Sequence, residues 1–179
     1  MGDFSAKPVS IPRITLRYNG LFDLDGLYSA VVDWSKNYGY RWHEVDYKHK
    51  VPGKGAEQEM KWLINKKINE YVEFQVLFTI HMWDMIEVEV EGAQKNLSNA
   101  RFYIHMDGKI SYDWQKSLKK AGKFGKFLGK WYHQRLLKRD MEAYIDVLYY
   151  RMWNIHAILK KYFDMQTKKY AYKGYLGEN

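Results

Sequence analysis

Two short repeats hold the residues of this 179-residue chain best suited to metal chemistry. Ile80-His81-Met82 and Ile104-His105-Met106 each set an imidazole between two apolar neighbours, with Asp84 and Asp107 close by. Two imidazoles and a carboxylate can bind a transition metal when they meet on one face. Whether they meet depends on how the two stretches pair. Pairing Glu91 with Lys95 puts His81 opposite His105. Pairing Glu89 with Arg101 parts them by about four residues, on the order of 13 Å at strand rise. The second pairing sets opposite charges together near the turn and is the one expected. His81 and His105 are thus an outlying metal pair, and no metal or other cofactor is expected. Glu87, Glu89 and Glu91 line one strand face, where pairing with Arg101 or Lys95 accounts for them.

A second chemical signal is basic. Lys116, Lys119, Lys120, Lys123, Lys126, Lys130, Arg135, Lys138 and Arg139 fall within residues 115–139, a window without Asp or Glu. The chain's net charge is +8, and outside this window 20 basic residues face 21 acidic ones, so one segment carries the whole excess. An acid-free lysine run repels itself, which implies an anionic partner. Phe124, Phe127, Leu128 and Trp131 fall on one helical side of it and Lys119, Lys123, Lys126 and Lys130 on the other. Such a helix can lie on an anionic membrane, or its lysines can neutralise phosphates while aromatic rings stack on bases. The plainer reading, that the aromatic side covers a sheet and the lysines meet water, is the favoured one for the aromatic side. Gly122-Lys123-Phe124-Gly125 has the GXXG form of the KH loop, but the strand count and order a KH domain needs are not those read here. Gly122, Gly125 and Gly129 are better explained as one helix side approached by another backbone.

Catalytic patterns are missing. There is no GxSxG elbow, no HExxH, and no GxGxxG after a strand. No cysteine occurs, which removes disulfides, thiolate catalysis and Cys-ligated metal centres. The expectation is a protein that is not an enzyme. Residues 1–13 lack the apolar core of a signal peptide, and no apolar run is long enough for a bilayer. A cytoplasmic protein, at most peripheral to a membrane, is expected.

The elements that must position these groups emerge from periodicity. From Tyr71 to Glu91 the chain alternates, with Val72, Phe74, Val76, Phe78, Ile80 and Met82, then Ile86, Val88 and Val90, on one side. Period two over that length is a half-buried strand. Ile14, Leu16 and Tyr18 open the chain's first strand, and Asn19-Gly20 reads as a turn or a bulge. Leu24, Leu27, Tyr28, Val31 and Trp34 recur at helical spacing, with Asp23 or Asp25 as the cap and Gly39 as the stop. Tyr40–Val51 reads as an edge strand, Met60–Ile68 as the next, Gly92–Ser98 as a polar loop and Phe102–Ile110 as the fifth strand. Met141, Tyr144, Ile145, Leu148, Tyr149, Met152, Ile155, Leu159, Tyr162 and Phe163 then mark a long helix. The fold class is α+β: an antiparallel meander of about five strands, in the order β-α-β-β-β-β-α, with one face covered by the two helices. Residues 1–179 are expected to form a single domain, with 1–11 a loose arm and 168–179 a partly ordered tail.

This order is similar to the helix-grip arrangement of START-like and plant-allergen-like proteins, in which a curved sheet wraps a C-terminal helix around an apolar cavity. The second helix and about one strand of that arrangement have no counterpart here. The resemblance is one of element order and carries over no residues; between the long strands and the long helix of this chain there is room for an apolar pocket, for which Phe74, Phe78, Ile104, Tyr144, Leu148 and Met152 are the expected lining. The leading functional expectation is a binder of a hydrophobic or lipid-like ligand that docks on an anionic membrane through residues 115–139. An RNA- or ribosome-associated protein using the same lysines comes second, and a structural subunit third.

Overall fold

The computed structural model describes residues 7–51, 55–88, 97–115 and 138–163, together with 125, 127 and 131. Among the described residues, six antiparallel strands and two continuous helices occur in chain order: β1 (Val9–Ser10), β2 (Ile14–Phe22), α1 (Leu24–Asn37), β3 (Arg41–Lys50), β4 (Ala56–Lys67), β5 (Val72–Val88), β6 (Leu97–Tyr112) and α2 (Lys138–Tyr162). The α+β class and the meander β3–β4–β5–β6 are as expected. The first strands then close on the last, because β1 and β2 both pair with β6 on its free side.

One sheet face is apolar because the alternation in β4, β5 and β6 keeps step across the ladder. Trp62, Phe78 and Met106 are register neighbours, and each is fully buried. Both helices cover this face. Leu27, Val31 and Trp34 point inward from α1, and Leu148, Met152, Ile155 and Leu159 do so from α2. Asp23 is the α1 cap, its carboxylate accepting from the Gly26 N–H at 2.7 Å, and Gly39 lies just past the helix end at φ +70°. Trp34 Nε1 donates to Asn154 at 2.7 Å and ties α1 to α2. His156 is buried beside Lys160, and both burial and that charge hold its pKa below the usual histidine value.

Several details depart from the periodic reading. The arm is not loose throughout: Val9–Ser10 pair with Ile110 and Lys109, and Ile11 is buried and bonded to Gly108. Asn19-Gly20 is neither turn nor bulge, since β2 runs in register through both residues to Phe22. Leu97 and Ser98, read as loop, begin β6. The largest departure lies at Asp84. Trp83 pairs with Arg101 and Ile86 with Asn99, so Asp84 and Met85 together oppose Ala100. Asp84 turns through φ +55°, a conformation that aspartate tolerates better than most residues. The bulge reverses the parity of the rest of β5: Met85 is buried, while Ile86, expected inside, is 53% exposed.

Gly55 is packed directly on this bulge. A Cβ there would lie 2.8 Å from both Cα and C of Asp84, which are backbone atoms and cannot rotate away. Gly55→Ala is therefore expected to destabilise the fold by about 1–3 kcal/mol, the usual cost of overpacking, as read from urea unfolding.

Candidate functional site: the open face of the sheet

The face of the sheet opposite the helices carries polar residues at most alternate positions, with two large aromatic exceptions. Trp83 on β5 and Tyr103 on β6 occupy the outward parity, where strand alternation alone calls for polar side chains. The register places each beside an arginine. Tyr103 lies between Arg17 of β2 and His81 of β5, while Arg101 lies between Asn19 and Trp83. Cation and ring thus alternate both along the strands and across them. The Arg17 guanidinium stands 4.9 Å from the Tyr103 ring centre, and that of Arg101 stands 5.7 Å from Trp83.

These residues line a shallow open groove of about 530 Å³, walled by Arg17, Asn19, Trp83, Arg101 and Tyr103 and floored by Tyr18 and Phe102. Local contacts hold several of these side chains. Arg101 donates from Nε and Nη2 to one Asp84 oxygen at 2.8 and 2.7 Å, so the bulge supplies the carboxylate that orients it. The His81 ring stacks on Trp83 at 3.7 Å, and its Nε2 donates to Glu57 at 2.6 Å. Arg17 makes no ion pair among the described residues. The arrangement offers flat hydrophobic surface beside positive charge, which suits a ligand that is both planar and anionic.

The expected hairpin register is not found. His81 faces Tyr103 and His105 faces Thr79, which makes the histidines diagonal neighbours, an outcome of neither expected pairing. They also turn to different partners, His81 to Glu57 on β4 and His105 to Thr15 on β2, with Nδ1 and Oγ1 3.3 Å apart. Burial, and next the nearby Arg13 charge, lower the His105 pKa. Arg101, expected to pair with a glutamate, pairs with Asp84. Among the described residues, the group whose geometry would admit a metal is instead His81, Glu57 and Glu59, with one donor atom from each within 4.8 Å of the others. Lys48, 3.5 Å from Glu59, already offsets part of that charge.

The six expected pocket residues do converge between sheet and α2. Phe74, Phe78, Ile104, Leu148 and Met152 are at most 1% exposed, and the Tyr144 ring meets Phe74 edge-on at 6.0 Å. All six belong to the packed core or lie against it, and none lines the open-face groove. Lys116, Lys119, Lys120, Lys123, Lys126, Lys130 and Arg135, and the side chains of Lys138 and Arg139, lie outside the described residues. Phe127 and Trp131 from the same segment are 67% and 52% exposed, so these two do not cover the sheet as expected. Among the described residues no helix is long and apolar enough to cross a membrane.

Sequence reasoning passed over Trp83, Arg17 and Tyr103 as groove residues. The available signal was an aromatic on the polar parity of a strand, twice, at positions that pair diagonally. No protein-family model matches the chain, and no curated protein matches it.

Proposed function

We propose that the protein binds single-stranded RNA on the open face of its sheet, between Arg17 and Tyr103 on one side and Arg101 and Trp83 on the other. The observation that carries this reading is the interleaving of two arginines with two outward aromatic rings around one groove. Unpaired bases stack on such rings irrespective of sequence, and guanidinium groups take the phosphates between them. Duplex bases are already stacked and offer no free face to Trp83 or Tyr103. The lysine-rich run of residues 115–139 and the net charge of +8 add long-range attraction for a polyanion.

A hydrophobic ligand between sheet and α2 is the rival. It rests on the convergence of Phe74, Phe78, Ile104, Tyr144, Leu148 and Met152, residues that the packing of a core explains equally well.

Fluorescence anisotropy with a labelled oligouridylate, set against a duplex of equal length, tests the proposal. Saturable binding of the single strand is expected, weakening linearly on a log–log plot against salt as counterions return to the phosphates. Equal affinity for the duplex would remove the stacking role of the groove. Native mass spectrometry of the purified protein gives the rival its own outcome: a co-purified lipid-sized mass would move the site to the sheet–helix layer.

A further inference from the structure

Helix α2 has two apolar sides, and the sheet uses one of them. Leu148, Met152, Ile155 and Leu159 are fully buried against the core. At about 100° of turn per residue, the opposite side of the helix carries Ala143, Val147, Tyr150, Trp153 and Ala157. All five are exposed, Tyr150 to 70% and Trp153 to 42%. A helix that packs only on a sheet needs one apolar stripe, with polar residues outward. The outward positions 143, 147, 150, 154 and 157 instead alternate steps of four and three, which is the spacing of a seam between two helices. Tyrosine and tryptophan are also the side chains that anchor protein interfaces.

The charges beside this stripe are sorted along the helix. From Asp140 to Asp146 there are three acids and no base, and from Arg151 to Lys161 three bases and no acid. Arg151 turns towards α1, its guanidinium 4.0 Å from the Tyr38 ring centre. That leaves Glu142 and Asp146 beside the stripe at one end, and Lys160 and Lys161 at the other. The helix dipole accounts for the two lysines, which lie in the last turn. It does not account for Asp146, about two turns from the helix start. Asp146 has no basic residue three or four positions away, and it stands four residues from Glu142, a like-charge spacing that weakens an isolated helix. It makes no ion pair among the described residues.

A second α2 laid antiparallel on this face answers both features. The apolar stripes then cover each other, and Glu142 and Asp146 of each copy face Lys160 and Lys161 of the other. A parallel pair would set acid against acid and base against base. An anionic membrane is the poorer occupant, since two carboxylates flank the stripe.

We infer that the outward face of α2 is the interface of a homodimer, in which two copies of this chain pack their α2 helices antiparallel with Tyr150 and Trp153 near the centre. Because α2 covers the sheet face opposite the arginine groove, both grooves remain open in the dimer. The dimer does not depend on RNA binding.

The test is sedimentation velocity of the full chain over a concentration series from low to high micromolar. A monomer–dimer equilibrium is expected within it. Tyr150→Glu changes an exposed side chain and should weaken the dimer at least about tenfold, as loss of an interface anchor does, with the far-ultraviolet circular dichroism spectrum unchanged. The Glu142→Lys/Asp146→Lys variant and the Lys160→Glu/Lys161→Glu variant should each self-associate more weakly than wild type. An equal mixture of the two should recover the dimer, because each then offers the charge that the other lacks. A monomer throughout the series would overturn the inference. Binding of that monomer to phosphatidylglycerol vesicles, lost in Tyr150→Glu, would give the face to lipid instead. A dimer unchanged by Tyr150→Glu would also overturn it. Charge-reversed variants that dimerise as tightly as wild type, or a mixture no tighter than either variant alone, would overturn the antiparallel pairing.

Discussion

Phe102→Ala is expected to remove about 3–5 kcal/mol of folding stability, the range for deleting a buried phenyl ring. The side chain is 2% exposed and joins elements that are distant in sequence. From β6 its ring centre lies 5.3 Å from Phe22 at the end of β2 and 4.7 Å from Phe163 just past α2. Phe22 and Phe163 also meet at 5.3 Å, so the substitution opens a void in a closed ring cluster whose members are held by separate strands and a helix end. Such a site cannot collapse freely, which places the cost toward the upper part of the range. Since folded domains hold only about 5–15 kcal/mol in reserve, the loss will be plain in urea or thermal unfolding. A change within about 1 kcal/mol of wild type, typical of a surface site, would mean that Phe163 and α2 do not close on the sheet as described.

The second large effect is on binding, with the fold left unchanged. Trp83→Ala and Tyr103→Ala should each weaken a single-stranded oligonucleotide by about 1–3 kcal/mol, the cost of one lost base stack, or about 5- to 150-fold. Both side chains stand on the open face, so stability should move little beyond about 0.5 kcal/mol. Arg17→Ala should lower affinity and reduce the salt slope by about one ion. Asp84→Asn has the opposite sign: the carboxylate now engages Arg101 at 2.7 Å, and removing its charge frees the guanidinium for a phosphate. Asparagine also tolerates the positive φ of this position. Tighter binding by Asp84→Asn, together with weaker binding by Trp83→Ala, is a pattern that general surface charge would not produce. Anisotropy titrations at two salt concentrations read both.

Most elements are legible in the chain itself because their causes are local. Period-two alternation from Val72 to Met82 is a property of successive side chains on one strand, and it fixes which of them face the core. Spacing at Leu148, Met152, Ile155 and Leu159 similarly fixes the buried stripe of α2, and Asp23 and Gly39 mark the ends of α1 through their own backbone chemistry. The convergence of Phe74, Phe78, Ile104, Leu148 and Met152 results from those stripes having one sheet face to cover.

The open-face groove could not be read this way. Charge complementarity suggested that Arg101 would pair with Glu89, yet the ladder sets it beside Trp83, because register is a property of two strands and the bulge between them. Asp84 decides it: two residues opposite one reverse the parity beyond that point, bury Met85, expose Ile86, and place a carboxylate where Arg101 reaches it. The closing of β2 on β6 brings Arg17 to Tyr103 with the helix α1 and the strands β3 to β5 lying between them in the chain, a contact that no local pattern encodes. The sequence alone thus determined the elements and their inward faces, which depend on neighbours a few residues apart. Tertiary structure decided which outward residues meet, since that depends on register, a bulge and the pairing of the chain's first strands with its last.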